Sequence, residues 1–289
     1  MMPRRNLLAQ MTAAAVTTGL PKRASAAPAP KRIAYGTHAS QWGELYVPDG
    51  AAKDDKLPAI VIVHGGFWRQ RYGADLGRPL ALDLATNHRV AAWNIEYRRV
   101  GGDGGYPATL EDIAAAVDAL AAPVQEIAGV TLDLTRVAAI GHSAGGHLAG
   151  WLASRQRLPA KAPGANPRVM LAAAVSQAGV LDLADGSAAG LGAGAVDAFM
   201  GGKPEAVPER YAIASPIALL PTDIPLVCVH GEDDDTVPIR QSERYVAAAK
   251  AAGDHAALLR FENTGHFEVI DPRHPSWRVC KDVTLDILG

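Results

Sequence analysis

Val137-Ala138-Ala139-Ile140-Gly141-His142-Ser143-Ala144-Gly145-Gly146-His147-Leu148-Ala149 is the most telling stretch of the chain. A short apolar run, Val137–Gly141, passes without a spacer into a glycine turn. Helical spacing then follows from His147 to Gln156. The glycines at 141 and 145 fit a tight strand-to-helix turn, because side chains there would collide with strand and helix. Such a turn exposes the Ser143 hydroxyl at a helix N-terminus, where the helix dipole favours developing negative charge. A serine in a glycine-rich turn without chemistry is the plain alternative, and the pentapeptide alone does not separate the two.

Outward from this turn, similar strand-like runs recur at Ala59–His64, Arg89–Ile95, Val169–Ser176 and Pro225–His230. Shorter ones lie earlier, at Arg32–Tyr35 and Gln41–Val47, closed by the turn Pro48-Asp49-Gly50. Between them Leu110 to Ala122 places Leu110, Ile113, Val117 and Leu120 on one helical face, with Pro123 as a stop. Ile239 to Ala252 is a further helix candidate. Strands alternating with helices predict an α/β fold, a mostly parallel sheet covered by helices on both faces. The carboxyl ends of its strands then share one edge, where such folds bind ligands. The Gly/Ala-rich Asp185–Gly202 reads as a loop or small cap over that edge. No linker divides the chain, so 27–289 is expected to form one catalytic domain.

Chemistry-bearing residues follow the strand ends. His64-Gly65-Gly66-Phe67-Trp68 closes the first buried run. Acyl transfer requires backbone N–H groups aimed at a tetrahedral oxyanion. Ala144 is expected to supply one, and Gly66 or Phe67 the other. His64 is expected to brace that loop. After the last long strand come Asp233, Asp234 and Asp235, which chemistry alone does not distinguish, and Asp182 follows the preceding strand. Among nine histidines, His266 sits in a Gly-containing loop, Asn263-Thr264-Gly265-His266-Phe267, after the strand-like Ala257–Phe261. The order serine, aspartate, histidine at strand ends suits a nucleophile, an acid and a general base. Phe67, Trp68, Tyr106 and Phe267 are candidates to line a substrate pocket, with ordinary core packing as the alternative for each.

These motifs resemble the esterase/lipase branch of the α/β-hydrolase superfamily from about Leu57 onward. His64-Gly65-Gly66-Phe67-Trp68 and Gly141–Ala149 are similar to arylformamidases (kynurenine formamidases). Small carboxylesterases related to feruloyl and acetyl-xylan esterases, and prolyl-oligopeptidase-like enzymes, share much of the pattern, including Asn94-Ile95-Glu96-Tyr97-Arg98 and Tyr106-Pro107-Ala108. Phe67 stands where many lipase-type relatives carry a third glycine. The resemblance implies Asp234 as the acid, within His230-Gly231-x-x-Asp234-x-x-Val237-Pro238. It implies a cofactor-free serine hydrolase acting through an acyl-enzyme on a small acyl or aryl ester. Amide hydrolysis is the alternative. A non-catalytic binding protein of this fold would usually lack a triad member, and here all three are present.

Composition fits this reading. A formal charge of −2 argues against a nucleic-acid partner, and no apolar run is long enough to span a membrane. Residues 1–26 combine Arg4-Arg5, a weakly apolar Ala/Thr/Gly stretch, Lys22-Arg23 and Ala24-Ser25-Ala26. That is the layout of a twin-arginine export signal, so the protein is expected outside the cytoplasm. The two cysteines, Cys228 and Cys280, leave a disulfide open, although Cys228 reads as a buried apolar residue.

Overall fold

The structure, a computed structural model, describes residues 28–289. Its centre is β3 (Lys56–Val63), where the β-branched run Ile60–Val63 is buried on both sides. Side chains alternate across a strand. Val61 and Val63 therefore enter one core layer and Ile60 and Ile62 the other. Pro58 has no N–H to give, and the β3 pairing shifts register between Leu57 and Ala59.

Around β3 lie β1 (Lys31–Ala34), β2 (Trp42–Tyr46), β4 (Ala91–Ile95), β5 (Thr131–His142), β6 (Ala173–Gln177), β7 (Leu226–Gly231) and β8 (Ala256–Phe261), in the order β1-β2-β4-β3-β5-β6-β7-β8. β2 runs antiparallel to both its neighbours, and β4 through β8 are parallel to one another by way of β3. This is the α/β-hydrolase architecture.

Helices α1 (Arg78–Asn87) and α9 (Pro275–Leu288) cover one face through Leu80, Leu84, Trp277 and Cys280. The opposite face is covered by α2 (Ala108–Asp118), α4 (Ala144–Ala153) and α8 (Arg240–Ala251). Pro123 does not simply stop a helix: α2 ends before it, and Pro123 opens the short α3 (Pro123–Ala128) as its first residue, where its missing N–H is harmless. The stretch 185–202 is not a loop. It belongs to α5 (Leu183–Ala188) and α6 (Leu191–Met200), which bury Leu191, Ala195, Val196, Phe199 and Met200 at helical spacing. Gly192, Ala193 and Gly194 within α6 depart into left-handed backbone, as do Gly190 and Gly201 at its two ends. A last helix, α7 (Pro208–Ala214), leads back toward β7. Cys228 and Cys280 are both buried and free, so no disulfide joins them. No helix among the described residues is long and apolar enough to cross a membrane.

Candidate active site

β5 delivers Ser143 on a turn whose tightness the neighbouring glycines explain. A Cβ at Gly141 would lie 2.0 Å from the Gly145 carbonyl oxygen, and one at Gly145 would lie 2.1 Å from that of Val63. Ser143 itself takes φ 56° and ψ −119°, a conformation that L-residues rarely adopt. Backbone of this kind costs about 1–3 kcal/mol and persists only where its surroundings impose it. Here the Ser143 N–H donates to the Gln177 carbonyl at 2.8 Å, and the Ser143 carbonyl starts α4 by accepting from His147 at 3.1 Å.

The loop after β3 lies against this turn. A Cβ at Gly65 would meet the His142 carbonyl at 2.7 Å and the Ser143 Cβ at 3.0 Å. Gly66, Phe67 and Trp68 all have positive φ, which turns their backbone away from strand geometry. Ala144 is the first residue of α4, so its N–H is one of those left unpaired within the helix. Neither Gly66 nor Phe67 donates a backbone N–H to a partner among the described residues.

Behind the loop, His64 stacks on Tyr97 with centroids 4.3 Å apart, and its ring nitrogens face Gly65 O at 2.8 Å and Glu96 Oε1 at 3.0 Å. Burial lowers the His64 pKa to about 3, so the ring is neutral and has one proton for these two acceptors. Glu96 is itself held by Arg99 and by the Ala74 and Tyr97 N–H groups.

Trp68 does not line an accessible pocket. It is fully buried, stacked on Phe199 at 4.6 Å, and its indole N–H donates to His147 Nδ1 at 3.2 Å. His147 in turn donates through Nε2 to Ala214 O at 2.9 Å. Trp68 therefore anchors the loop from beneath. Phe67 is half-buried below the left-handed bend of α6, where a Cβ on Gly192 would fall 2.5 Å from its ring. Arg69 fastens the two segments by donating to the Gly192 carbonyl. Tyr106 is half-buried and its N–H donates to Phe199 O at 2.8 Å. Phe267, 66% exposed, stands edge-on to His266 at 5.2 Å.

The aspartates after β7 part company at once. Asp233 and Asp235 are exposed, whereas the Asp234 side chain is wholly shielded. Its Oδ2 accepts from His266 Nδ1 at 2.7 Å, with His230 Nε2 at 3.3 Å. Its Oδ1 accepts from the N–H groups of Thr236 at 2.9 Å and Val237 at 2.8 Å. Burial opposes ionisation of Asp234, but the hydrogen bonds from His230, His266 and Val237 outweigh it and hold the carboxyl far below the ordinary range. Asp182 is engaged elsewhere: it caps α5 through the Asp185 N–H and pairs with Arg244 at 2.7 Å. Sequence reasoning passed over Gln177 and gave His142 no role, yet both touch this site; neither has a signal beyond the strand end it occupies.

Comparison with known proteins bears on the family and the fold. A family model described as BD-FAE matches residues 44–248. A probable isoprenylcysteine alpha-carbonyl methylesterase of Oryza sativa subsp. japonica is 27% identical over 257 residues, and the match covers 83% of this chain but 58% of that protein. The chain thus spans well under two thirds of that relative's length. Among solved structures, a truncated carbohydrate esterase from gut microbiota superposes with a TM-score of 0.73 at 18% identity, covering 92% of this chain and 99% of the other. A thermophilic esterase of Thermogutta terrifontis gives 0.70 at 22% identity, covering 91% and 92%. At such identities the structural matches speak for the fold. With its family model spanning most of the chain and its sheet in the α/β-hydrolase order, the chain belongs to the BD-FAE family.

Proposed function

We propose that this protein is a serine hydrolase that cleaves a carboxylic ester of a small acyl or aryl substrate through an acyl-enzyme. The observation that carries the reading is the shielded Asp234–His266 pair at 2.7 Å, on the same sheet edge as the strained Ser143 turn. The Asp234 carboxylate fixes the proton of His266 on Nδ1 and leaves Nε2 as the basic nitrogen. His266 takes the Ser143 proton as Oγ attacks the ester carbonyl, and Asp234 stabilises the imidazolium that forms. The oxyanion is received by the Ala144 N–H and by Gly66 or Phe67. His266 then protonates the departing alcohol and activates a water that releases the acid. Phe67, Phe267 and Tyr106 provide apolar surface for a compact acyl or aryl group. The methylesterase name of the Oryza relative supports ester over amide chemistry.

A hydrolysis panel of p-nitrophenyl acetate, butyrate and octanoate with N-formylkynurenine and an aminoacyl-anilide tests the reading. Rates highest on the short esters, and abolished by Ser143→Ala, are expected. Faster turnover of N-formylkynurenine would replace the esterase by an arylformamidase. Export belongs to the same proposal: residues 1–26, which lie outside the described residues, act as a twin-arginine signal. The Arg4-Arg5 and Ala24-Ser25-Ala26 pattern supports it.

A further inference from the structure

We propose that His142 and Gln177 form a clamp that fixes the histidine loop on the nucleophile turn, which makes both of them positioning residues for Ser143 and His266. The inference rests on the serine-hydrolase reading of the site. The two residues are the last paired positions of β5 and β6. Through the backbone they hold the serine: His142 precedes it directly, and the Gln177 carbonyl accepts the Ser143 N–H at 2.8 Å. Through their side chains they hold the loop that carries the base. His142 donates from Nε2 to the His266 carbonyl at 2.8 Å, and Gln177 donates from Nε2 to the Val269 carbonyl at 2.6 Å. One strand pair thus grips both reacting residues, and the loop is tied on either side of Phe267, whose outer face is open to solvent.

The alternative is that these are merely core contacts, and the glutamine speaks against it. Gln177 is fully buried, its Oε1 has no protein partner among the described residues, and the residue lines a cavity of about 10 Å³ together with His142 and Ile270. A buried amide is costly to place, so a glutamine here is explained by the protein hydrogen bond it makes. What glutamine adds is its N–H on the histidine loop. His142 fits the same role. Its ring lies 4.5 Å from that of His266, and burial first, then the neighbouring His266, lowers its pKa to about 3. Facing also Asp234 and His230, it remains a neutral donor while His266 gains and loses its proton.

Gln177→Met removes the donor and keeps the length; His142→Phe removes the other arm. Both are assayed on p-nitrophenyl acetate, with rates expressed per nucleophile titrated by a fluorophosphonate. The clamp predicts kcat lower by about 10- to 100-fold, as for a small misplacement of reacting groups, with KM within about twofold. Amide hydrogen exchange across residues 264–270 should accelerate by at least about tenfold, and the melting temperature of Gln177→Met should fall only modestly, since one buried carbonyl loses its donor. Wild-type kcat per titrated site in both variants, with any loss confined to melting temperature or active fraction, would overturn the clamp. Unchanged exchange across the loop would overturn it too. That second readout needs no activity, so it decides the clamp even where a fully active Ser143→Ala enzyme has disproved the serine mechanism.

Discussion

Ser143→Ala keeps the same Cβ in the same strained backbone and deletes only the hydroxyl, so it isolates the chemistry from the fold. Ester turnover is expected to fall at least ~10³-fold, the usual behaviour when a nucleophile is lost, with an unchanged circular dichroism spectrum and melting curve. Asp234→Asn replaces the acceptor of the His266 Nδ1 proton by a group that can donate, which permits the wrong tautomer. A loss of about 10⁴-fold in kcat is expected. Asp233→Asn and Asp235→Asn alter exposed carboxylates and should stay within about twofold. Asp182→Asn removes the Arg244 ion pair and keeps an amide oxygen that can still cap α5, so it should lower the melting temperature slightly and spare the rate. A kinetic comparison of the four asparagine variants checks the whole set. The candidates Ser143 and His266 stand out in the sequence because each lies in a short glycine-containing motif after a strand-like run. The acid was not legible from chemistry, since three identical side chains follow β7 and only the turn after Gly231 determines which one is buried. Trp68 was misassigned for a related reason: an aromatic after a glycine pair reads equally as a substrate contact or an anchor, and the positive φ of Phe67 and Trp68 belongs to an anchor.

Among elements, the strand-turn-helix unit of β5 and α4 is packed backbone against backbone. Gly145→Ala would push a methyl into the Val63 carbonyl, and Gly141→Ala into that of Gly145, at separations no Cβ tolerates. Backbone cannot move aside as a flexible side chain can, so α4 must shift away from β3 in the first variant and from β5 in the second. Overpacking of this kind costs about 1–3 kcal/mol, and the displaced Ser143 should lose most of its activity. A melting temperature lower by several degrees, together with kcat lower by at least about 10²-fold, is the expected pair of results. Gly194→Ala, in a bend where no atom crowds the added methyl, is a useful contrast: its backbone strain should lower stability slightly and leave kcat near wild type. β3, β5 and β7 could be read from sequence because short apolar runs closing on a glycine fit few other structures. α6 could not, since its Gly and Ala residues mask the spacing of Val196, Phe199 and Met200. α9 also went unread, although Pro275 at its first position and the spacing of Trp277, Cys280 and Val283 mark it. Its anchor is tertiary: the Trp277 indole and Lys281 both reach Asp83 on α1 at 2.7 Å.

At the scale of the molecule, stability and location are both open to test. His64, His142 and His147 are all buried, and burial lowers their pKa values to about 3, 3 and 4. Because these folded values lie below the ordinary histidine value of 6.5, the unfolded chain binds protons first as pH falls. Their contribution is therefore complete above pH 6.5 and declines toward pH 4, by about 1.4 kcal/mol per histidine per pH unit. Urea unfolding at pH 7.5 and pH 5 should differ by several kcal/mol, with the native state weaker in acid; equal stabilities would mean that the three rings are not buried neutral. The remaining question is residues 1–26. Among the described residues the sheet begins with β1 at Lys31 and its strands pair with one another through to β8. The Ala, Thr and Gly side chains of the leading stretch also carry little apolar area to bury at ~25 cal/mol/Å². Deleting residues 1–26 is therefore expected to leave melting temperature and kcat/KM within error of the full chain. Replacing Arg4 and Arg5 by lysine should retain the protein in the cytoplasm of its host, because twin-arginine export depends on that pair. N-terminal sequencing of the extracytoplasmic fraction should begin at Ala27. Full-length chain confined to the cytoplasm would remove the export proposal, and it would strengthen amide hydrolysis, because tryptophan catabolism, where arylformamidases act, is expected in the cytoplasm.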